Sequence, residues 1–175
     1  MKESQIRMLF EESEIQRRIK VLGQRLRRDL PLEDPLFVSI VGGSVLFLAD
    51  LIRTMSDPVR YEFVQVQYST SGGDDEILDV HYPISMPVEG QEILVIKDVV
   101  SSGVIETYLR TQFQQLGARK ILFAALIDLP SRRKTEFVPD YRLFEAERHG
   151  VFVGYGLKYK GRYGNLPYLG EIVEG

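Results

Sequence analysis

The chain has 175 residues, 44% of them hydrophobic and 27% charged, with a formal net charge of -3. That length supports one well-buried core, so a single domain over residues 1–175 is expected and disorder is not. The slightly acidic balance argues against a nucleic-acid partner, and the lack of cysteine excludes disulfides, thiol nucleophiles and Cys-based zinc sites. No apolar run reaches the roughly 20 residues of a membrane span. Met1-Lys2-Glu3-Ser4 lacks the pattern of a signal peptide, so a cytoplasmic protein with no membrane partner is the simplest expectation.

Ser13 with Gln16 three residues later predicts a capping box. Behind it Ile15, Ile19, Leu22, Leu26 and Leu30 recur at helical spacing, and Pro31 and Pro35 end the helix. Residues 36–41 read as a short apolar strand that passes through Gly42-Gly43-Ser44 into a mostly buried helix, residues 45–52. Residues 61–68 alternate as a strand does, residues 69–75 read as a polar loop, and residues 81–89, with Pro83 and Pro87, as an extended connection.

The most telling stretch follows. Residues 93–97 form an apolar strand, Ser101-Ser102-Gly103 a small polar turn, and residues 104–116 an amphipathic helix with Gly117 as its C-cap. The first amides of such a helix have no internal partner and face the turn, a ready place for a phosphate. Asp98 is the one acid there. It suits a ribose hydroxyl or a magnesium-bound ligand, and equally a cap on the loop's own N–H groups. Ser101-Ser102-Gly103 also suits a plain helix cap, but the strand–turn–helix setting favours phosphate. Gly42-Gly43-Ser44 reads as well as a tight turn.

Residues 121–127 are another apolar strand, followed by the basic turn at residues 130–134. Arg132, Arg133 and Lys134 make too short a run for a polyanion patch and read as a solvated turn or a subunit contact. Residues 151–155 are expected to be the last main strand. His81 and His149 have no partner acid at motif spacing and read as surface or structural, and Tyr155, Tyr159, Tyr163 and Tyr168 as packing or interface residues. Strands alternating with helices predict an α/β fold with a central, mainly parallel sheet that binds ligands beyond its carboxyl edge.

Several stretches together resemble the purine phosphoribosyltransferases of the bacterial hypoxanthine/guanine type over nearly the whole chain. They are Val-Gly-Gly-Ser at residues 41–44, Ile-Leu-Val-Ile-Lys-Asp at 93–98, Leu-Ile-Asp-Leu-Pro-Ser-Arg-Arg at 126–133, Pro139-Asp140-Tyr141, Val-Gly-Tyr-Gly-Leu at 153–157 and Asn165-Leu166-Pro167-Tyr168. The resemblance implies the type I phosphoribosyltransferase fold, with a small hood from the N- and C-terminal segments, and a homodimer or homotetramer. It also implies transfer of phosphoribose from phosphoribosyl pyrophosphate (PRPP) to a purine, with magnesium, displacing pyrophosphate.

The positions that would perform this chemistry depart from the family's pattern. Of the two acids that hold the ribose, the first is Lys97 and the second Asp98. Ser101 stands where a third acid handles the purine N7 proton, and an ordinary hydroxyl cannot act as that base. Ser102, Gly103 and Val104 keep a backbone cradle, but Ile105 replaces a phosphate-binding threonine. Gly42 replaces a cation ahead of Gly43 and Ser44 in the pyrophosphate turn, where two glycines still offer amides and unusual backbone geometry. In the base pocket Leu129 replaces the lysine that reads the 6-oxo group, Val151 replaces the stacking aromatic with Phe152 next to it, and Leu157 is retained. Lys158 replaces an aspartate that helps hold magnesium, Gly164 aligns with an arginine, and Gln67 with a serine beside Tyr68.

The expectation is a phosphoribosyltransferase-like protein with lost or much-reduced transfer that still binds a nucleotide or other phosphorylated small molecule. Magnesium is expected only if PRPP chemistry is retained. If Lys97 and Lys158 face the old site, they favour an anion over a magnesium complex; otherwise they extend into solvent. The alternatives are an active purine phosphoribosyltransferase with a rearranged site, or an interaction subunit of an active relative.

Overall fold

The computed structural model describes residues 5–29, 34–70, 76–81, 88–147 and 150–173. Strand β1 (Gln5–Phe10) leads into helix α1 (Glu12–Asp29), whose Ile15, Ile19, Leu22 and Leu26 form the buried stripe that the spacing predicts. The capping box does not form, because the helix begins before Ser13. Glu11 O accepts the N–H groups of Glu14 and Ile15, both at 3.1 Å, and Glu12 and Glu14 supply the negative charge favoured in a first turn. Gln16 instead donates to Asp50 Oδ2 at 2.6 Å.

The chain continues through β2 (Leu36–Ile40), α2 (Val45–Ile52), β3 (Arg60–Thr70), β4 (Glu76–His81), β5 (Glu92–Val100), α3 (Val104–Gln115) and β6 (Lys120–Asp128). A 3-10 turn, Pro130–Arg132, precedes β7 (Tyr141–Glu145), and β8 (Val151–Val153) and β9 (Leu169–Val173) complete the order. Six strands form one sheet in the order β4-β3-β2-β5-β6-β7, parallel except for β4 at one edge. Successive residues of a strand face opposite sides. Phe37, Leu94, Ile96, Ala124 and Leu126 therefore pack with α1 and α2, whereas Val38, Ile93, Val95, Phe123 and Ala125 pack with Leu109 and Phe113 of α3. Covering both faces is what makes these strands read as unbroken apolar runs.

Residues 151–155 are not the last strand of this sheet. β8 stops after three residues, at Gly154 (φ 89°) and Tyr155 (φ 47°), and pairs with β9, which pairs with β1. These three strands, drawn from both ends of the chain, are the expected hood. The main sheet ends instead at β7, whose exposed Arg142 and Glu145 interrupt the apolar pattern. β1 and β4 are edge strands, which need no unbroken apolar run and so leave a weak sequence signal. Ser69 and Thr70, read as loop, close β3, and His81, read as the start of a connection, closes β4. Residues 71–75 and 82–87, and His149, lie outside the described residues. Among the described residues no helix is long and apolar enough to cross a membrane.

Two contacts seat the hood. The Phe10 ring stacks on Phe144 with centroids 3.9 Å apart, and Tyr155 Oη donates to Asp50 Oδ2, the same oxygen that Gln16 reaches, at 2.5 Å. Burial, then the hydrogen bond and charge of Asp50, push the Tyr155 phenol well above its usual range. Tyr155→Phe should therefore cost about 1–2 kcal/mol of stability, read as a lower urea midpoint with an unchanged slope.

Candidate functional site

Strands β2 and β5 run side by side in parallel, with Ser39 opposite Ile96, so their carboxyl ends bring residues 41–44 and 97–103 together. One carboxylate ties the two loops. Gly43 N–H donates to Asp98 Oδ2 at 3.1 Å, Val99 N–H donates to Asp98 Oδ1 at 2.7 Å, and the Lys97 ammonium pairs with that same Oδ1. Burial works to raise the Asp98 pKa, but the Lys97 charge and the hydrogen bonds from Lys97, Val99 and Gly43 outweigh it and hold the carboxyl below its usual range. The two side chains are only 14% and 18% exposed. Lys97 is thus a partner of Asp98 and does not extend into solvent.

The glycines are dictated by this convergence. A Cβ on Gly43 would lie 2.7 Å from both Asp98 Oδ2 and Leu157 Cδ2, and a Cβ on Gly156 would collide with Gly43 O. Gly42 sits at φ 151°, a conformation that lysine or arginine rarely adopts. Ser44 faces inward: it is fully buried, shares a 2.9 Å hydrogen bond with Ser39 Oγ and donates to Ile40 O.

The Ser101-Ser102-Gly103 turn is held from behind. Arg133 Nη1 donates to Ser101 O at 2.9 Å, and Lys134 N–H donates to Ser102 O at 2.9 Å. Arg133 also pairs with Asp128, which is 1% exposed and has Arg142 Nη1 3.4 Å from its other oxygen. With its carbonyls engaged at the rear, the turn keeps the N–H groups of Ser102 and Gly103 without a partner among the described residues. Gly103 takes φ 80° against Thr135 and Arg133, and Ser102 Oγ accepts from Val104 N–H at 3.3 Å. The reading of residues 132–134 as a solvated turn is therefore wrong for Arg133, whose side chain is 12% exposed. The short basic run concealed the distinction, because only the fold shows which cation turns inward toward Asp128.

A strand–turn–helix cradle beside a glycine turn, both at the carboxyl edge of a parallel sheet, is matched by a family model. The phosphoribosyl transferase domain model covers residues 6–160. The chain belongs to the phosphoribosyl transferase family. It is 35% identical over 173 residues to a hypoxanthine-guanine phosphoribosyltransferase of Bacillus subtilis (strain 168), covering 98% of this chain and 96% of that one. The Streptococcus pneumoniae (strain ATCC BAA-255 / R6) protein of the same name is 31% identical over 169 residues, covering 96% and 93%. Among solved structures, a hypoxanthine-guanine phosphoribosyltransferase from Bacillus anthracis superposes with a TM-score of 0.86 at 27% identity, covering 98% of this chain and 99% of that one. A hypoxanthine phosphoribosyltransferase from Staphylococcus aureus gives 0.87 at 27%, covering 95% and 90%.

Within this phosphoribosyl transferase fold the residues expected around a base are mostly core. Leu129, Phe152 and Leu157 lie in one buried cluster at 3%, 9% and 8% exposure, and only Val151 is open, at 45%. Phe152 follows Val151 on the strand and faces the opposite way, so it does not stand in for a stacking aromatic. Lys158 lies across Gly164: a Cβ there would approach Lys158 Cγ to 2.9 Å and Cε to 3.3 Å. The lysine stem thus fills space that a larger residue at position 164 would need. The side chains of Gln67 and Tyr68 lie outside what is described.

The donor set offers a magnesium ion little. An ion carried by a diphosphate needs one or two available carboxylates. Both oxygens of Asp98 already accept, Oδ1 from Lys97 and Val99 and Oδ2 from Gly43, and position 158 carries a lysine.

Because its pKa is held down, Asp98 contributes stability that is present above the ordinary carboxylate range and lost as pH falls through the folded-state value. Asp98→Asn should cost about 1–3 kcal/mol at neutral pH, with the gap to wild type closing in acid. Thermal unfolding across the acid range reads both effects.

Proposed function

We propose that this phosphoribosyl transferase binds a nucleoside monophosphate or related phosphomonoester at Ser101, Ser102, Gly103 and Val104, and has lost or much reduced transfer of phosphoribose to hypoxanthine or guanine. The observation that carries this reading is the state of Asp98, whose Oδ1 takes Lys97 and Val99 and whose Oδ2 takes Gly43, which leaves little acceptor capacity for ribose or metal. Transfer through an oxocarbenium-like transition state needs acids, metal and a held leaving group where charge develops. In this chain Ser101 occupies the proton-handling position, Gly42 the cation of the pyrophosphate turn, and Leu129 the base reader.

Binding needs less. Backbone N–H groups at the start of α3, in a turn braced by Arg133, can hold a phosphate without side-chain chemistry. Ile105 is half-buried at the start of the helix and supplies no hydroxyl, so the cradle depends on amides. Lys158 is exposed with its stem against Gly164, so it leaves no carboxylate for a metal at that position. A second reading, an active purine phosphoribosyltransferase, is favoured by the full-length match to relatives named for that activity.

The two readings separate on turnover. Purified protein with PRPP, magnesium and hypoxanthine, guanine or xanthine should form no detectable nucleotide, while GMP or IMP binds in calorimetry. Sustained turnover with any of the three bases would overturn the proposed loss. Absence of GMP and IMP binding would overturn the proposed cradle.

A further inference from the structure

Glu106 is the third residue of α3 and only 2% exposed, on the inward side with Leu109 and Phe113. Buried carboxylates are ordinarily tied to a cation or to several donors. Glu106 accepts a hydrogen bond from its own backbone N–H, and no ion pair reaches it among the described residues. That N–H belongs to the first turn of α3, the same group of helix-start donors that faces the Ser101-Ser102-Gly103 turn.

The charged groups acting on Glu106 come from two places in the fold. Lys97 and Asp98 face it from the end of β5, and Arg133 from the turn after β6. Arg133 is bound to Asp128, which Arg142 also approaches. Arg110, one turn further along α3, packs against the rings of Phe123 and Phe137 and lies 3.7 Å from Asp140. The two cations whose charge acts on Glu106, Lys97 and Arg133, each already serve another carboxylate.

A negative charge buried in the first turn of α3, directly after residues 101–103, opposes an anion held at that turn. We propose that Glu106 is a proton-coupled gate: an anion binds at residues 101–104 as Glu106 takes a proton from solvent onto its carboxylate. The gate rests on the phosphate-binding reading of that turn. Burial raises the Glu106 pKa most, with Asp98 adding to it; its own N–H, Lys97 and Arg133 pull the other way, and the balance lies above the usual carboxylate value. A dianion in the turn raises it further. Below the ligand-free pKa, Glu106 is protonated with or without ligand, and affinity is highest and flat. Above it, binding must take up a proton, so affinity falls as pH rises until the ligand-bound pKa is passed.

Sulfate is a suitable probe because it stays a dianion throughout the useful range and adds no titration of its own. Calorimetric titrations of wild type and Glu106→Gln with sodium sulfate at fixed ionic strength, from about pH 5 to about pH 8, give affinity. Repeating them in buffers of different ionisation enthalpy gives proton uptake. Wild-type affinity should fall about fivefold or more across that range with fractional proton uptake, whereas Glu106→Gln should hold its affinity within about twofold and take up none through this group. Glu106→Met, apolar at the same buried place, should behave like Glu106→Gln. A pH-independent wild type, or variants that keep the wild-type slope, would overturn the gate while leaving anion binding intact. No sulfate binding by any of the three proteins at any pH would overturn gate and phosphate reading together.

Discussion

Asp98 joins the ends of two neighbouring parallel strands, and the geometry of the carboxyl edge follows from that tie. Its Oδ2 holds the Gly43 amide, its Oδ1 holds Val99 and Lys97, and nothing larger than glycine fits at position 43 while it does so. Gly156 in turn must be glycine, because its backbone rests against Gly43 O. The hood turn, the glycine turn and the end of β5 are thus locked into one unit. A buried carboxylate paired with an ammonium and two amides is satisfied, so it has little left to offer a ligand.

The charges around this unit are redistributed as a set. Lys97 neutralises Asp98, Arg133 is spent on Asp128 and on bracing the turn, and Glu106 sits buried among them. Lys158 lies along Gly164, so the small residue at 164 and the long one at 158 fit each other. Each change alone alters one contact. Together they support the proposal of a site that holds an anion by backbone amides in place of a metal-bound diphosphate.

The fold was legible because it rests on patterns that the sequence states directly. Unbroken apolar runs gave β2, β5 and β6, the Ile15-Ile19-Leu22-Leu26 spacing gave α1, and the landmark stretches gave the family. Edge strands β1 and β4, and edge strand β7 with its charged Arg142 and Glu145, were missed because none carries the unbroken apolar run of a central strand. At the site, the small residues and the lone acid could be found by spacing. The partners could not: Asp98 to Gly43 spans 55 positions, and Arg133 to Ser101 spans 32. Burial also hid direction, since Ser44 and Phe152 look available in sequence yet face inward.

With Asp98 occupied by Lys97, Val99 and Gly43, we propose that the cradle takes phosphate as a bare anion. The magnesium dependence of GMP binding tests it most directly, by calorimetric titration at saturating magnesium and again with a chelator present. A neutralised Asp98 predicts dissociation constants that agree within about twofold. A tightening of about tenfold or more with magnesium, about 1.4 kcal/mol, would contradict it.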